Sequence, residues 1–70
     1  MKIILYSTGC PQCKVLKAKL DKANLVYDVI TDQEVMMAKG FMSAPILEVY
    51  DQTYKFTDAL KWIKEISNGN

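Results

Sequence analysis

The sequence predicts a single α/β domain, spanning residues 1–70, in which helices cover a four-stranded mixed sheet in the order β-α-β-α-β-β-α. Strand-like, helix-like and strand-like patterns follow one another in the first 30 residues, and such a unit forms a right-handed parallel crossover. Two later strand-like runs are separated by a tight turn, which predicts an antiparallel hairpin. A chain of 70 residues, 50% of them hydrophobic, suffices for one small core.

The first strand leads into a turn and then into a helix. Residues 2–6 are a nearly continuous apolar run, which is typical of a strand buried on both faces. The Ser-Thr-Gly sequence that follows has the chemistry of a turn. Pro11 suits the first helical position, because the φ of proline is already helical and its missing N–H costs nothing there. The helix is therefore predicted over residues 11–23.

An apolar stripe defines the inner face of this helix, and a second strand follows it. The side chains at spacings of three and four residues are Cys13, Leu16, Leu20 and Ala23. Asn24 is expected to end the helix in the left-handed region. Residues 25–30 are rich in β-branched and aromatic side chains and are predicted to form the second strand.

A short helix is predicted over residues 33–39. Thr31 or Asp32 should cap its N-terminus, and Gly40 should end it. Three of the four methionines fall in this helix or just after it, namely Met36, Met37 and Met42. We interpret them as filling a small core, and the alternative is a soft, adaptable surface for partner proteins.

The C-terminal part of the chain predicts the hairpin and a last helix. Residues 46–50 and 53–56 should form its strands, joined by a turn at Asp51-Gln52. The last helix should begin at Thr57 or Asp58 and end near Ser67. Its inward side chains should be Ala59, Leu60, Ile63 and Ile66, with Trp62 at the margin, and residues 68–70 should fray.

Composition excludes several classes of function. Nine lysines and no arginine stand against eight acidic residues, and a net charge of +1 argues against a nucleic-acid partner. The absence of histidine removes His-based general bases, and two cysteines are too few for a four-thiolate zinc site within one chain. The N-terminal apolar run is too short for a signal peptide or membrane span, so we expect a cytoplasmic protein without a membrane partner.

The two cysteines are the chemically distinctive residues. Cys10 is expected at or beside the N-cap of the first helix, where unpaired N–H groups and the helix dipole favour a thiolate. Its pKa should therefore fall below about 8.5. Cys13 lies three residues later on the same helical face, close enough for a disulfide. Cys10 is then the nucleophile, and Cys13 is the resolving thiol that releases a mixed disulfide.

The motif and the order of elements resemble the glutaredoxin family, whose members have the thioredoxin fold. The resemblance covers nearly the whole chain. It rests on the strand before Cys10-Pro11-Gln12-Cys13, Ala44-Pro45 ahead of a strand, the hairpin, and Thr57-Asp58 opening the last helix. It implies a thioredoxin-like fold and a small redox protein with no bound cofactor, working through a redox-active Cys10–Cys13 disulfide.

The resemblance also implies individual roles. Pro45 would be a cis-proline beside the active-site sulfur, and the backbone of Ala44 would pair with an extended substrate. Thr57 and Asp58 match the family's site for the glutamyl end of glutathione. The resemblance also places Pro11 and Gln12 among the catalytic residues and Tyr6 among the substrate-binding residues. From the residues alone, Pro45 could instead start an edge strand, and Thr57-Asp58 could instead cap the last helix.

The identity of the reductant stays open. Family members that use glutathione carry a lysine shortly before the first cysteine and a Gly-Gly pair before the last helix, whereas this chain has Ser7-Thr8-Gly9 and Tyr54-Lys55 there. With Gln12 at its centre, the motif resembles that of the glutaredoxin-like redoxins. Those proteins donate electrons to ribonucleotide reductase and are recharged by thioredoxin reductase. Glutathione and thioredoxin reductase are therefore both candidates.

Three functional hypotheses follow. The leading one is a monomeric dithiol–disulfide oxidoreductase that reduces disulfides of proteins, or mixed disulfides with glutathione, with ribonucleotide reductase as a candidate client. The second is a dimeric module in which two chains, each supplying two cysteines, hold a metal or an iron–sulfur cluster. The third is a thioredoxin-fold interaction module whose cysteines are incidental.

Overall fold

The computed structural model describes the backbone of residues 2–68 and the side chains up to Ser67. The elements follow the predicted order: β1 (Ile3–Tyr6), α1 (Pro11–Lys22), β2 (Asp28–Ile30), α2 (Gln33–Ala38), β3 (Ile46–Val49), β4 (Gln52–Lys55) and α3 (Phe56–Asn68). Asn68, predicted to fray, is the last residue of α3, and the other two residues of that prediction lie outside the described part.

The four strands form one mixed sheet in the order β2-β1-β3-β4. β1 pairs parallel with β2 and antiparallel with β3, and β3 pairs antiparallel with β4. The predicted parallel crossover, hairpin and mixed sheet are therefore confirmed. Because β3 lies between β1 and β4, Pro45 precedes an interior strand. The interpretation of Pro45 as the start of an edge strand is wrong.

Alternation along the central strands divides the core between two faces of the sheet. On one face, helices α1 and α3 cover a buried aliphatic cluster of Ile3, Leu5, Leu16, Leu20, Leu47, Val49, Ala59 and Ile63. On the other face, α2 covers a smaller buried cluster of Tyr6, Met36 and Ile46. We call these the two-helix face and the α2 face. Trp62 lies at the margin of the first cluster, as predicted, and stacks on Tyr54 with ring centroids 6.1 Å apart.

The helix termini follow local signals closely. Asn24 has a φ of 59°, in the left-handed region predicted after α1. The side chain of Asp32 accepts a hydrogen bond from the Glu34 N–H at 2.9 Å, so Asp32 rather than Thr31 caps α2. Gly40 follows α2 with a φ of 80°, a conformation that glycine adopts without steric cost.

Several boundaries differ from the predictions, and three of them matter for the sheet or the site. β2 begins at Asp28 because only residues 28–30 pair with β1. Val49 pairs with Gln52, so the hairpin loop is Tyr50-Asp51, one residue earlier than predicted. α3 begins at Phe56, which places Thr57 and Asp58 inside its first turn. Neither of them is the N-cap, and that alternative interpretation is wrong.

The methionines divide between core and surface. Met36 lies on the buried side of α2, but Met37 and Met42 have 75% and 97% of their surface exposed. The prediction that all three fill the core is right only for Met36, because Met37 is one residue further round the helix and Met42 lies in the loop after it. None of the helices in the described range has the length and apolar composition needed to cross a bilayer.

Candidate functional site

The turn between β1 and α1 is built around Ser7 and Gly9. The N–H of Ser7 donates to the carbonyl of Ile30 at 3.0 Å, which continues the pairing of β1 with β2 by one residue. The side-chain oxygen of Ser7 then accepts the N–H of Gly9 at 3.1 Å. Gly9 has a φ of 81°, which glycine adopts readily and a residue with a Cβ does not. This turn delivers Cys10 to the start of α1.

Cys10 is the N-cap of α1, as the sequence predicts. It has extended backbone angles, with φ −70° and ψ 164°, and Pro11 follows as the first helical residue. Its sulfur accepts the N–H of Cys13 at 3.3 Å, and its carbonyl accepts the N–H of Lys14 at 3.1 Å. The sulfur therefore occupies the place of a capping oxygen, at the positive end of the helix dipole.

The two thiols differ in exposure although they touch. Both are free, with their sulfur atoms 2.6 Å apart. This distance is about 0.5 Å longer than a disulfide bond of about 2.05 Å, so a bond could form with little movement. Cys13 is buried, with 2% of its surface exposed, whereas Cys10 is half-buried. An external disulfide can therefore reach Cys10 and not Cys13.

Several hydrogen bonds favour a thiolate in this pair. Burial acts to raise the pKa of Cys13, but hydrogen bonds from Cys10, from the Ser7 side chain and from the Thr8 backbone outweigh burial and lower this pKa to about 7. These donors act on the Cys13 sulfur, for which the sequence predicted no shift, and the lowered pKa expected for Cys10 stays a prediction. Because two thiols in contact titrate together, this pKa describes the pair rather than one residue.

Most of the predicted substrate-binding residues surround one groove beside α1. Gln12, Ala44, Pro45, Thr57 and Asp58 line this groove, which has a volume of about 450 Å³. The Ala44–Pro45 peptide bond is cis, which is the isomer that the resemblance implied. We call this the charged groove, because Lys55 also lines it and places a positive group in the same space as the Asp58 carboxylate.

Tyr6 has a different role from the predicted one. Its side chain has 0% exposed surface, so no substrate can touch it. On the α2 face its hydroxyl donates to Glu48 Oε1 at 3.0 Å, and Phe41 packs edge-on against its ring at 4.8 Å. Burial raises the pKa of Tyr6, which keeps the hydroxyl protonated as a donor. Assigning Tyr6 to substrate binding was wrong, because β1 turns this side chain into the core.

Sequence reasoning overlooked the contacts of three residues, Ser7, Glu48 and Lys39. Ser7 was interpreted only as part of a turn, but its hydroxyl also helps to lower the pKa of Cys13. Glu48 and Lys39 join α2 to the sheet, with Lys39 Nζ 3.6 Å from Glu48 Oε2 and 5.6 Å from the centre of the Tyr6 ring. Glu48 was detectable as a single charge inside an apolar strand, because such a residue usually has a buried partner.

Comparison with known proteins finds no match to this chain among protein families, curated proteins or solved structures. The site is therefore interpreted from its own geometry. Within residues 2–68, no three His, Cys, Asp or Glu side chains lie close enough to hold a metal ion together. A metal or cluster on the cysteine pair would need further ligands, for example from a second chain.

Proposed function

We propose that this protein is a dithiol–disulfide oxidoreductase with a glutaredoxin-like, thioredoxin-type fold. The observation that supports it best is the contact between Cys10 and Cys13. One sulfur is accessible at a helix N-terminus, the other is buried 2.6 Å away, and the pKa of Cys13 falls to about 7. Such a pair holds a thiolate at neutral pH and has a resolving thiol in place.

The reaction follows from this difference in exposure. The Cys10 thiolate attacks one sulfur of the substrate disulfide, the substrate S–S bond breaks, and the other substrate sulfur leaves as a thiolate that takes a proton. Cys13, as its thiolate, then attacks the Cys10 sulfur in the mixed disulfide and displaces the second substrate thiolate. The Cys10–Cys13 disulfide that results holds the two oxidising equivalents until a reductant removes them.

The position of Ala44 supports binding of an extended substrate. Among the backbone hydrogen bonds of residues 2–68, none involves the N–H or C=O of Ala44. Ala44 lines the charged groove next to Gln12, which lies between the two cysteines. A substrate backbone that pairs with Ala44 by strand addition would lie beside the motif that carries Cys10.

The reductant and the cellular setting are part of the proposal. Thr57, Asp58 and Lys55 offer polar groups of both signs to a peptide such as glutathione, and thioredoxin reductase is the other candidate. We propose a cytoplasmic monomer that reduces protein disulfides, with ribonucleotide reductase as one client. The order of elements, the mixed sheet and the cis Ala44–Pro45 bond support the thioredoxin-type fold.

An NADPH-coupled assay of disulfide reduction tests this proposal. Reducing equivalents come either from glutathione with glutathione reductase or from thioredoxin reductase. Turnover with glutathione makes the charged groove a glutathione site, and turnover only with thioredoxin reductase makes the protein a thioredoxin-like donor. We expect Cys10→Ser to abolish turnover and Cys13→Ser to accumulate the mixed disulfide, detectable by mass spectrometry.

Failure of the assay has a defined meaning. If neither supply gives turnover while both thiols are verified as reduced, the proposed oxidoreductase is wrong. Metal and sulfide content of the purified protein then tests the dimeric cluster-binding hypothesis. Unchanged binding to partners in Cys10→Ser would instead favour an interaction module with incidental cysteines.

A further inference from the structure

A second groove lies on the other side of the Ala44 segment. It has a volume of about 310 Å³ and lies between the turn before Cys10 and the end of α2. Its lining is mainly apolar, with Met36, Met37, Phe41, Met42 and Ala44, and Thr8 is one of its three polar residues. None of the described residues lining it is charged. We call it the methionine groove.

The methionine groove has a fixed floor and an adaptable rim. Met36 is buried and Phe41 packs against the Tyr6 ring, so the floor belongs to the core of the α2 face. Met37 and Met42 form the rim, with 75% and 97% of their surface exposed. Two large apolar side chains this exposed at one site mark an interaction surface, and methionine adapts its shape to different partners.

The two grooves that flank Ala44 have opposite chemical character. The charged groove presents Lys55 and Asp58, whereas the methionine groove has no charged lining residue and presents mainly thioether and aromatic groups. Ala44 lines both of them. A substrate polypeptide lying across Ala44 would therefore meet two different surfaces. The residues on one side of the substrate cysteine would contact apolar groups, and those on the other side would contact charged groups.

We propose that the methionine groove selects protein substrates by binding an apolar side chain within two residues of the disulfide cysteine. This inference rests on the proposed oxidoreductase function and specifies its substrate class. Thr8 connects the groove to the site, because it lines the groove and lies two residues before Cys10. The side chain that occupies the groove therefore belongs to the substrate chain whose cysteine sulfur Cys10 attacks.

The test measures how fast the fully reduced protein reduces peptide disulfides. The peptides are symmetrical disulfides with a Ser-Gly background, and a single Leu replaces Ser at one of the two positions before or after the cysteine. We expect the second-order rate constant to rise about fivefold for at least one Leu position, which is what burying about 40 Å² of apolar surface provides. Asp at that position should give no increase.

Matched variants locate the effect. Met37→Gln combined with Met42→Gln should reduce the Leu-over-Ser rate ratio at least threefold. Val26→Gln is the control, because Val26 is also an exposed apolar residue, at 87%, but does not line the groove. It should leave the ratio as in the parent protein.

The possible failures are distinguishable. If the small disulfide bis(2-hydroxyethyl) disulfide and all peptides are left unreduced, the proposed function fails. If the peptides are reduced but Leu and Ser versions differ by less than twofold at every position, the substrate-selection proposal is wrong. It is also wrong if the double methionine variant keeps the full Leu preference. Sedimentation tests one further outcome. If the parent protein is a dimer and the double methionine variant is a monomer, a second copy of the chain occupies the groove, and the proposal is overturned.

Discussion

The two faces of the sheet share the same four strands, but their coverings differ. The two-helix face buries eight side chains, which apart from one alanine are Leu, Ile or Val, under α1 and α3. The α2 face buries three residues under a helix of six residues, and it includes the hydrogen-bonded Tyr6–Glu48 pair. Successive residues of β1 and β3 alternate between the two faces. The difference between the two buried clusters therefore comes from the helices that cover them.

This comparison separates the main apolar core from the proposed binding surface. The two-helix face buries only apolar side chains, and it fixes α1, which begins at the cysteine pair. The α2 face is smaller and partly polar, and the methionine groove opens from its edge. The helix with the buried Cys13 packs on the two-helix face, and the loop with Ala44 packs on the α2 face. A substitution in one of these segments should therefore have a limited effect on the position of the other.

Removing a large side chain from the two-helix face should have the largest effect. Leu20 has 0% exposed surface in α1, two turns from the cysteines. Leu20→Ala should lower the free energy of unfolding by about 2–5 kcal/mol, since it leaves a cavity in the core. Urea unfolding measures this, with exposed Val26→Ala as a control expected within about 0.5 kcal/mol of the parent. A loss below about 1 kcal/mol for Leu20→Ala would contradict the role of this face.

The thiol pair should make the stability of the reduced protein depend on pH. Folding lowers the pKa of Cys13 from 9.0 to about 7. Since the unfolded chain keeps this proton up to about pH 9, the reduced protein should gain about 1–3 kcal/mol as pH rises from 6 to 9. The same stability is lost as pH falls through about 7.

The disulfide form is the control for this pH dependence. It contains the same lysines, tyrosines and carboxylates but no titrating thiol. Urea unfolding of the two redox forms between pH 6 and 9 should therefore show the gain only in the reduced protein. An equal pH dependence of both forms would place the titrating group elsewhere.

The polar network of the α2 face should contribute less. Tyr6→Phe removes the hydrogen bond to Glu48 but keeps the ring, and the Glu48 carboxylate still lies 3.6 Å from Lys39 Nζ. We expect a loss of about 1 kcal/mol in the free energy of unfolding. Thermal or urea unfolding measures it. No loss would mean that water replaces the hydroxyl without cost, and the α2 face would then be held by apolar contacts alone.

A second tyrosine gives the smallest effect and a matched comparison. The hydroxyl of Tyr27, at the margin of the two-helix face, donates to Asp21 Oδ1 at 2.7 Å on the surface of the protein. Tyr27→Phe should cost about 0.5 kcal/mol or less, because water replaces an exposed hydrogen bond. Measured under the same conditions as Tyr6→Phe, a larger loss for Tyr27→Phe would contradict the importance of burial.

Local sequence signals predicted most of the fold. Pro11 marked the start of α1, Asn24 its end, and the pair Thr31 and Asp32 the start of α2, because caps and left-handed residues depend on neighbours along the chain. The extent of β2 was missed, since pairing with β1 limits that strand to Asp28–Ile30. The hairpin loop was also displaced by one residue, because the register between β3 and β4 fixes it.

The site was predictable only in part. The positions of Cys10 and Cys13 followed from three-residue spacing at a helix start, and the structure places both sulfurs as expected. The partners of Cys13 were not predictable, since Ser7 approaches it only after the turn has folded. Nor could composition tell that Met36 is buried while Met37 and Met42 form an exposed rim.

The sequence by itself determined the elements, their order and the helix N-terminus that holds the thiol pair. These features depend on backbone preferences and on contacts within a few residues. Only the tertiary structure decided that Tyr6 is buried against Glu48, that Ala44 lies between a charged and an apolar groove, and which methionines remain exposed. These depend on strand register and on how helices pack across the sheet, which bring together residues distant in the chain.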